Sequence, residues 1–135
     1  MVKILIADDH PIIRQGLKQI ISDEEDMMVA GEAETGMQAI ELSKSNQYDI
    51  LILDINLPDM NGLEILKIIK ASVPELPVLI LSVYPEDQYA IRSIKSGASG
   101  YLNKFSANIQ LINAIRKIIS GENYLSPSLS NHRTS

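Results

Sequence analysis

Short apolar runs alternate along this chain with longer segments in which apolar residues return every three or four positions, a rhythm that few folds satisfy. The runs are Ile4 to Ala7, Met27 to Ala30, Ile50 to Leu53, Val78 to Leu81, and a weaker one through Gly100, Tyr101 and Leu102. Four of them lack polar alternation, which suits strands covered on both faces by crossover helices. Strand and helix taking turns in this way predict an α/β chain of βα units around a parallel sheet.

The helical segments carry their own punctuation. Ile12, Ile13, Leu17, Ile20 and Ile21 form one face behind Pro11, which fits a first turn. A second helix is expected from about Gly36 to Ser45, with Thr35 as its N-cap. A third carries Leu63, Leu66 and Ile69 after Asn61 and stops before Pro74 and Pro77. Pro85 opens a fourth, with Ile91 and Ile94, which closes at Gly97. Ser106 opens a fifth, in which Ile109, Ile112, Ile115 and Ile119 form a stripe and Gly121 is the stop. The result is a fivefold βα repeat. From Leu125 to Ser135 the chain is Ser-rich without apolar period and reads as a linker or frayed end.

With 135 residues, 45% of them hydrophobic, there is room for one core and not two. Twelve basic residues against 17 acidic ones give a net charge of -5, which disfavours direct nucleic-acid binding by this segment. There is no cysteine, so thiolate metal sites and disulfides are excluded. No apolar run approaches the roughly 18 residues of a membrane span, and Asp8 and Asp9 interrupt the first apolar stretch where a signal peptide would continue. The expectation is a soluble, cytoplasmic domain.

Open parallel sheets bind ligands beyond the carboxyl ends of their strands. Those ends are Asp8-Asp9, Asp54, Ser82 and Asn103-Lys104, so three carboxylates, a hydroxyl and an ammonium are expected at one edge. Carboxylates gathered there raise one another's pKa unless a cation offsets them, and Mg²⁺ suits a site of one or two carboxylates plus a phosphate oxygen. Three Asp at -3, Mg²⁺ at +2 and Lys104 at +1 balance to zero, and an acyl phosphate on Asp54 would leave roughly -1.

The segments ADDHP at Ala7 to Pro11, LILDINLPDMNG at Leu51 to Gly62, Leu81-Ser82 and GYLNK at Gly100 to Lys104 resemble the signature of the receiver domains of two-component response regulators. The resemblance covers about Val2 to Gly121 and implies a flavodoxin-like, doubly wound sheet of strand order 2-1-3-4-5. It implies a receiver over residues 1–121, with 122–135 as a tail or the start of a linker. In that family Asp54 matches the phosphoacceptor, Asp9 the direct Mg²⁺ ligand and Asp8 a ligand through water, with the backbone carbonyl of Asn56 also on the metal. Ser82 and Lys104 match the phosphoryl-binding pair, and Tyr101 the aromatic that turns inward on activation. The implied partner is a sensor histidine kinase, with a homodimer on phosphorylation, and the chain catalyses only its own phosphotransfer and dephosphorylation. ADDHP and GENYLSP at Gly121 to Pro127 also resemble the subfamily whose receiver precedes a LuxR-type DNA-binding module, absent here; a stand-alone receiver is the alternative.

Other readings explain fewer of these residues. A flavin carrier on this fold needs a phosphate-cradling loop after the first strand, where Asp8-Asp9-His10 stands. A phosphohydrolase working through an aspartyl phosphate usually has a second acid two residues after the nucleophile, where Asn56 stands, and needs a substrate cap. His10 is read as a rim residue, Met27-Met28 as core filling, Tyr84 and Tyr89 as half-exposed aromatics, and Pro58-Asp59 and Asn61-Gly62 as shaping the loop after Asp54. Phe105 follows the lysine where many receivers have Pro. A trans Lys104-Phe105 bond is therefore expected, with a loose loop that keeps Lys104 off Asp54 until phosphate arrives.

Overall fold

The computed structural model describes residues 1–45, 47–83 and 86–125, without the side chains of 86–88. Tyr84, Pro85 and the Ser-rich end beyond Leu125 lie outside the described residues. Five strands, β1 (Val2–Ala7), β2 (Met27–Ala33), β3 (Ile50–Asp54), β4 (Val78–Ser82) and β5 (Gly100–Asn103), alternate with five helices. The helices are α1 (Pro11–Ser22), α2 (Gly36–Ser43), α3 (Gly62–Ser72), α4 (Glu86–Lys95) and α5 (Ala107–Ile119). All strand pairs are parallel, in the order β2-β1-β3-β4-β5. The expected α/β topology is the one found.

Two apolar layers sandwich the sheet. Leu5, Leu51, Leu53 and Ile80 face α2, α3 and α4 with Ile65, Leu66 and Ile69, while Ile4, Ile50, Ile52 and Leu79 face α1 and α5 with Leu17, Leu111 and Ile115. β3 and β4 are buried at every position, as continuous apolar runs require. Each such side chain contributes about 1.5 to 3 kcal/mol.

β2 departs from its expected burial and length. As an edge strand it alternates between buried and open positions, so Met27 is core but Met28 is exposed. It continues to Ala33 because the pairing with β1 shifts between Ile4 and Leu5, leaving Ala30 out of register as a bulge. Gly31 then passes beneath Tyr48, whose hydroxyl occupies the space a Cβ would need.

Helix limits follow local chemistry. Thr35 accepts from the Gln38 N–H and Asn61 from the Leu63 N–H. Gly97 and Gly121 adopt φ of 109° and 98° just after α4 and α5, the left-handed turn that glycine makes at least cost. The stripe expected on α5 is rotated from the true core face. Leu111, Ala114, Ile115 and Ile118 are buried while Ile109 and Ile119 are exposed, because apolar residues surround this helix and the contact with the sheet, not the spacing alone, selects the face. On α1, likewise, Leu17 and Ile21 are buried and Ile12 is exposed.

Beyond Gly121 the chain returns to the sheet. Tyr124 is buried, its N–H donates to the Ser99 carbonyl at 2.9 Å, and its carbonyl accepts from the Tyr101 N–H at 3.2 Å. Residues 122–125, expected as the start of a tail, therefore lie along the outer edge of β5.

Two glycines should respond oppositely to alanine. At Gly62, the first residue of α3, a Cβ would stand 2.5 Å from Ile55 Cα, a backbone atom that cannot yield, so Gly62→Ala should lower stability by about 1 to 3 kcal/mol. At Gly16, inside α1, nothing lies within 4 Å, and Gly16→Ala should raise it by about 0.5 to 1 kcal/mol. Urea unfolding of both variants reads the two signs.

Candidate functional site

The sheet delivers its polar residues to one edge. β3 ends in Asp54 and β4 in Ser82, both buried, while Asp8 and Asp9 follow β1 and Lys104 follows β5. One ligand atom from each of Asp8, Asp9, His10 and Asp54 lies within 4.8 Å of the others. Lys104 Nζ donates to Asp54 Oδ2 at 2.9 Å and stands 3.1 Å from Asp8 Oδ2, an ion pair without the direction of a hydrogen bond. Asp54 Oδ1 accepts from the Asn56 N–H at 3.0 Å, which steers the carboxylate. Ser82 closes the next strand over, one residue beyond Leu81, the register partner of Asp54.

His10 sits closer to the chemistry than a rim residue needs to. Its side chain is 58% exposed, yet Nδ1 lies 3.1 Å from both Asp8 Oδ1 and Asp9 Oδ1 and 3.9 Å from Asp54 Oδ2. Its N–H donates to Asp8 Oδ1 at 2.8 Å, so Asp8 also shapes the loop that carries His10. Asp8 Oδ2 and Asp9 Oδ1 are buried without a hydrogen-bond partner. Asp8 Oδ2 has the Lys104 ammonium beside it and Asp9 Oδ1 the exposed His10 ring, but neither oxygen has its lone pairs satisfied by a hydrogen bond, so this donor set fits a hard metal ion.

The charges are unevenly compensated. Burial pushes the Asp54 carboxyl above its ordinary pKa; the Asn56 N–H and Lys104 pull it down without cancelling that effect, and Asp8 adds to the rise. Burial also opposes the ammonium of Lys104, but the hydrogen bond and charge of Asp54, with Asp8 behind them, outweigh it and hold Lys104 above the ordinary lysine value.

Lys104 corrects one expectation. The Lys104-Phe105 bond is trans, since no described peptide bond is cis, yet the loop brings the ammonium within hydrogen-bond distance of Asp54. The reason is local: Lys104–Ser106 form a 3-10 turn, and Asn103 Oδ1 accepts from the Phe105 N–H at 2.8 Å. Asn103 was noted in the sequence only as a strand end. Tyr101 is fully buried beneath the chain at Tyr124.

Two supports escaped the sequence reading. Asp59, expected only to shape its own loop, accepts from the Gly36 and Met37 N–H groups at 2.7 and 3.1 Å and joins the loop after Asp54 to the start of α2. These bonds hold its carboxyl below the usual value. Arg14 donates to the Asp8 carbonyl at 2.6 Å. Asp59 meets α2 across 23 residues, and Arg14 reaches back six residues from α1 to the loop before it, a pairing that no periodicity marks.

Comparison with known proteins agrees with this geometry. Residues 4–116 match the model of the response regulator receiver domain. The chain is 31% identical over 130 residues to the response regulator GacA of Pseudomonas aeruginosa, covering 96% of this chain and 61% of that protein. It is 34% identical over 131 residues to the transcriptional regulatory protein DegU of Brevibacillus brevis, covering 97% of this chain and 56% of that one. The chain thus spans about three fifths of the length of these relatives. Among solved structures, a LuxR-family two-component response regulator from Aurantimonas superposes with TM-score 0.92 at 29% identity, covering 100% of this chain and 99% of that one. With the family model matched over most of its length and its acidic residues gathered at the strand ends, this chain belongs to the response regulator receiver domain family of two-component systems.

Proposed function

We propose that Asp54 accepts a phosphoryl group from a phosphohistidine of a sensor kinase, and that Mg²⁺ is held by Asp8, Asp9, Asp54 and the backbone carbonyl of Asn56. The observation that carries this reading is the Asp54 carboxylate itself, buried at the end of the central strand, against Lys104 and within one ligand set with Asp8 and Asp9. A carboxylate oxygen of Asp54 attacks phosphorus, the P–N bond breaks, and its electron pair leaves with the imidazole of the donor. Bound Mg²⁺ supplies charge neutralisation at the phosphoryl oxygens. Lys104 holds its ammonium ready for the same oxygens, and Asp8 and Asp9 set the cation site.

The acyl phosphate then acts as a switch rather than as an intermediate of turnover. Moving a two-state equilibrium from 1:99 to 99:1 needs about 5.5 kcal/mol. A single hydrogen bond nets about 1 kcal/mol, so Ser82 and Lys104 act together on the phosphate. The output face is formed by α4, β5 and α5, with Tyr101 beneath it and Tyr89 and Arg92 on α4. The relatives' greater length supports a LuxR-type DNA-binding module after this segment, with the receiver controlling it in the cytoplasm. Among the described residues no helix is long and apolar enough to cross a membrane.

Incubation with Mg²⁺ and phosphoramidate or acetyl phosphate should add one phosphoryl group by mass spectrometry. Asp54→Asn should remove it, and Asp9→Ala should keep the acceptor while losing the Mg²⁺ dependence. Equal labelling of Asp54→Asn would sink the assignment. Phosphorylation is also expected to promote a homodimer through the output face; sedimentation with and without beryllofluoride reads it, and an unchanged mass over a wide concentration range counts against it.

The raised pKa of Asp54 sets a second expectation. A group whose folded pKa lies above its unfolded value costs stability once ionised, a cost absent below the unfolded pKa and complete above the folded one. In metal-free buffer Asp54→Asn should therefore melt above the wild type at neutral pH, with the gap closing as pH falls from the raised pKa of folded Asp54 to the ordinary aspartate value. Calorimetry across that range tests the sign.

A further inference from the structure

We infer that Arg14 is a positioning residue for the cation site, fixing the peptide plane that aims Asp9. This inference rests on the reading of Asp8 and Asp9 as metal ligands. Arg14 lies on the first turn of α1, its side chain only 12% exposed, and Nη1 donates to the backbone carbonyl of Asp8 at 2.6 Å. That carbonyl shares one rigid plane with the Asp9 N–H, so a bond to it fixes the direction in which the chain enters Asp9. The other side of Asp8 is fixed as well, because its N–H donates to the Ala33 carbonyl at 3.0 Å.

The guanidinium is anchored at its remaining nitrogens. Nε donates to Glu32 Oε1 and Nη2 to Glu34 Oε1, both at 3.2 Å, and Lys18 Nζ donates to Glu32 Oε2 at 3.0 Å. Two basic and two acidic side chains thus cancel in formal charge, which leaves a strut between the end of β2 and the β1–α1 loop. A planar fork can serve three acceptors in fixed directions, as a single ammonium cannot. Asp9 needs such help. Its Oδ1 is buried without a hydrogen-bond partner, and its described contact is with the exposed His10 ring.

The direction of the effect separates this role from a simple field. Removing a positive charge beside an acidic cluster would by itself tighten cation binding, whereas losing the strut weakens it. Mn²⁺ titration followed by electron paramagnetic resonance, with Mg²⁺ as competitor, gives the dissociation constant of the unphosphorylated protein. Arg14→Gln is expected to raise that constant about tenfold, the usual loss when a group supporting a metal ligand is removed. It should also shift the backbone amide resonance of Asp9 in metal-free protein. Arg14→Lys keeps the charge and serves where Arg14→Gln fails to fold; it too should bind Mn²⁺ several-fold more weakly. An unchanged or tighter constant in a folded variant, whatever its melting temperature, overturns the inference. A wild type that does not bind Mn²⁺ removes the cation site itself, a failure visible before any variant is made.

Discussion

Everything at the carboxyl edge of the sheet depends on one electrostatic constraint: carboxylates buried at the ends of neighbouring strands, with the Lys104 ammonium set against them. Asp8 and Asp54 are as buried as the leucines beside them, and Lys104 reaches both. One positive charge does not compensate two buried negative ones and the flanking Asp9, and burial, with a smaller push from Asp8, keeps the Asp54 pKa raised despite Lys104. The remaining deficit makes the donor set one that suits a hard metal ion.

A rigid frame is needed for that stress to exist, because side chains free to swing out would hydrate instead. β3 and β4 provide it by being buried at every position between two apolar layers. Side-chain bonds then finish the placement: the Asn56 N–H on Asp54, the 3-10 turn under Lys104, and Arg14 on the Asp8 carbonyl. Asp59 links the loop after Asp54 to α2, and Tyr124 covers the free edge of β5 where Tyr101 is buried. Asp54 is therefore bounded by placed neighbours on several sides, so a change of charge there would be felt by the elements that hold them.

Much of the site was legible because catalytic geometry in this architecture is a property of strand ends. Once the apolar runs are found, the residues ending them are named, and Asp8, Asp54, Ser82 and Lys104 follow without any contact being known. The positions that escaped depend on distant pairing. Arg14 meets Glu32 and Glu34 across 18 and 20 residues, and Asp59 meets Gly36 across 23. The pairing of Lys104 with Asp54 was judged from its own peptide bond, when the deciding feature was the Asn103 cap that shapes the turn.

The sequence by itself determined the order of elements, the parallel sheet and the edge at which the acids collect, because periodicity and turn residues act within a few positions. It determined the helix-stopping glycines for the same reason. Tertiary structure alone decided which face of α5 is buried, that Met28 lies on an open edge while Met27 does not, and that Tyr124 belongs to the sheet. It also decided how far Lys104 reaches and what holds the Asp8 carbonyl. Burial and hydrogen bonding are relations between segments, and an amphipathic period leaves several faces open until a neighbouring element occupies one of them.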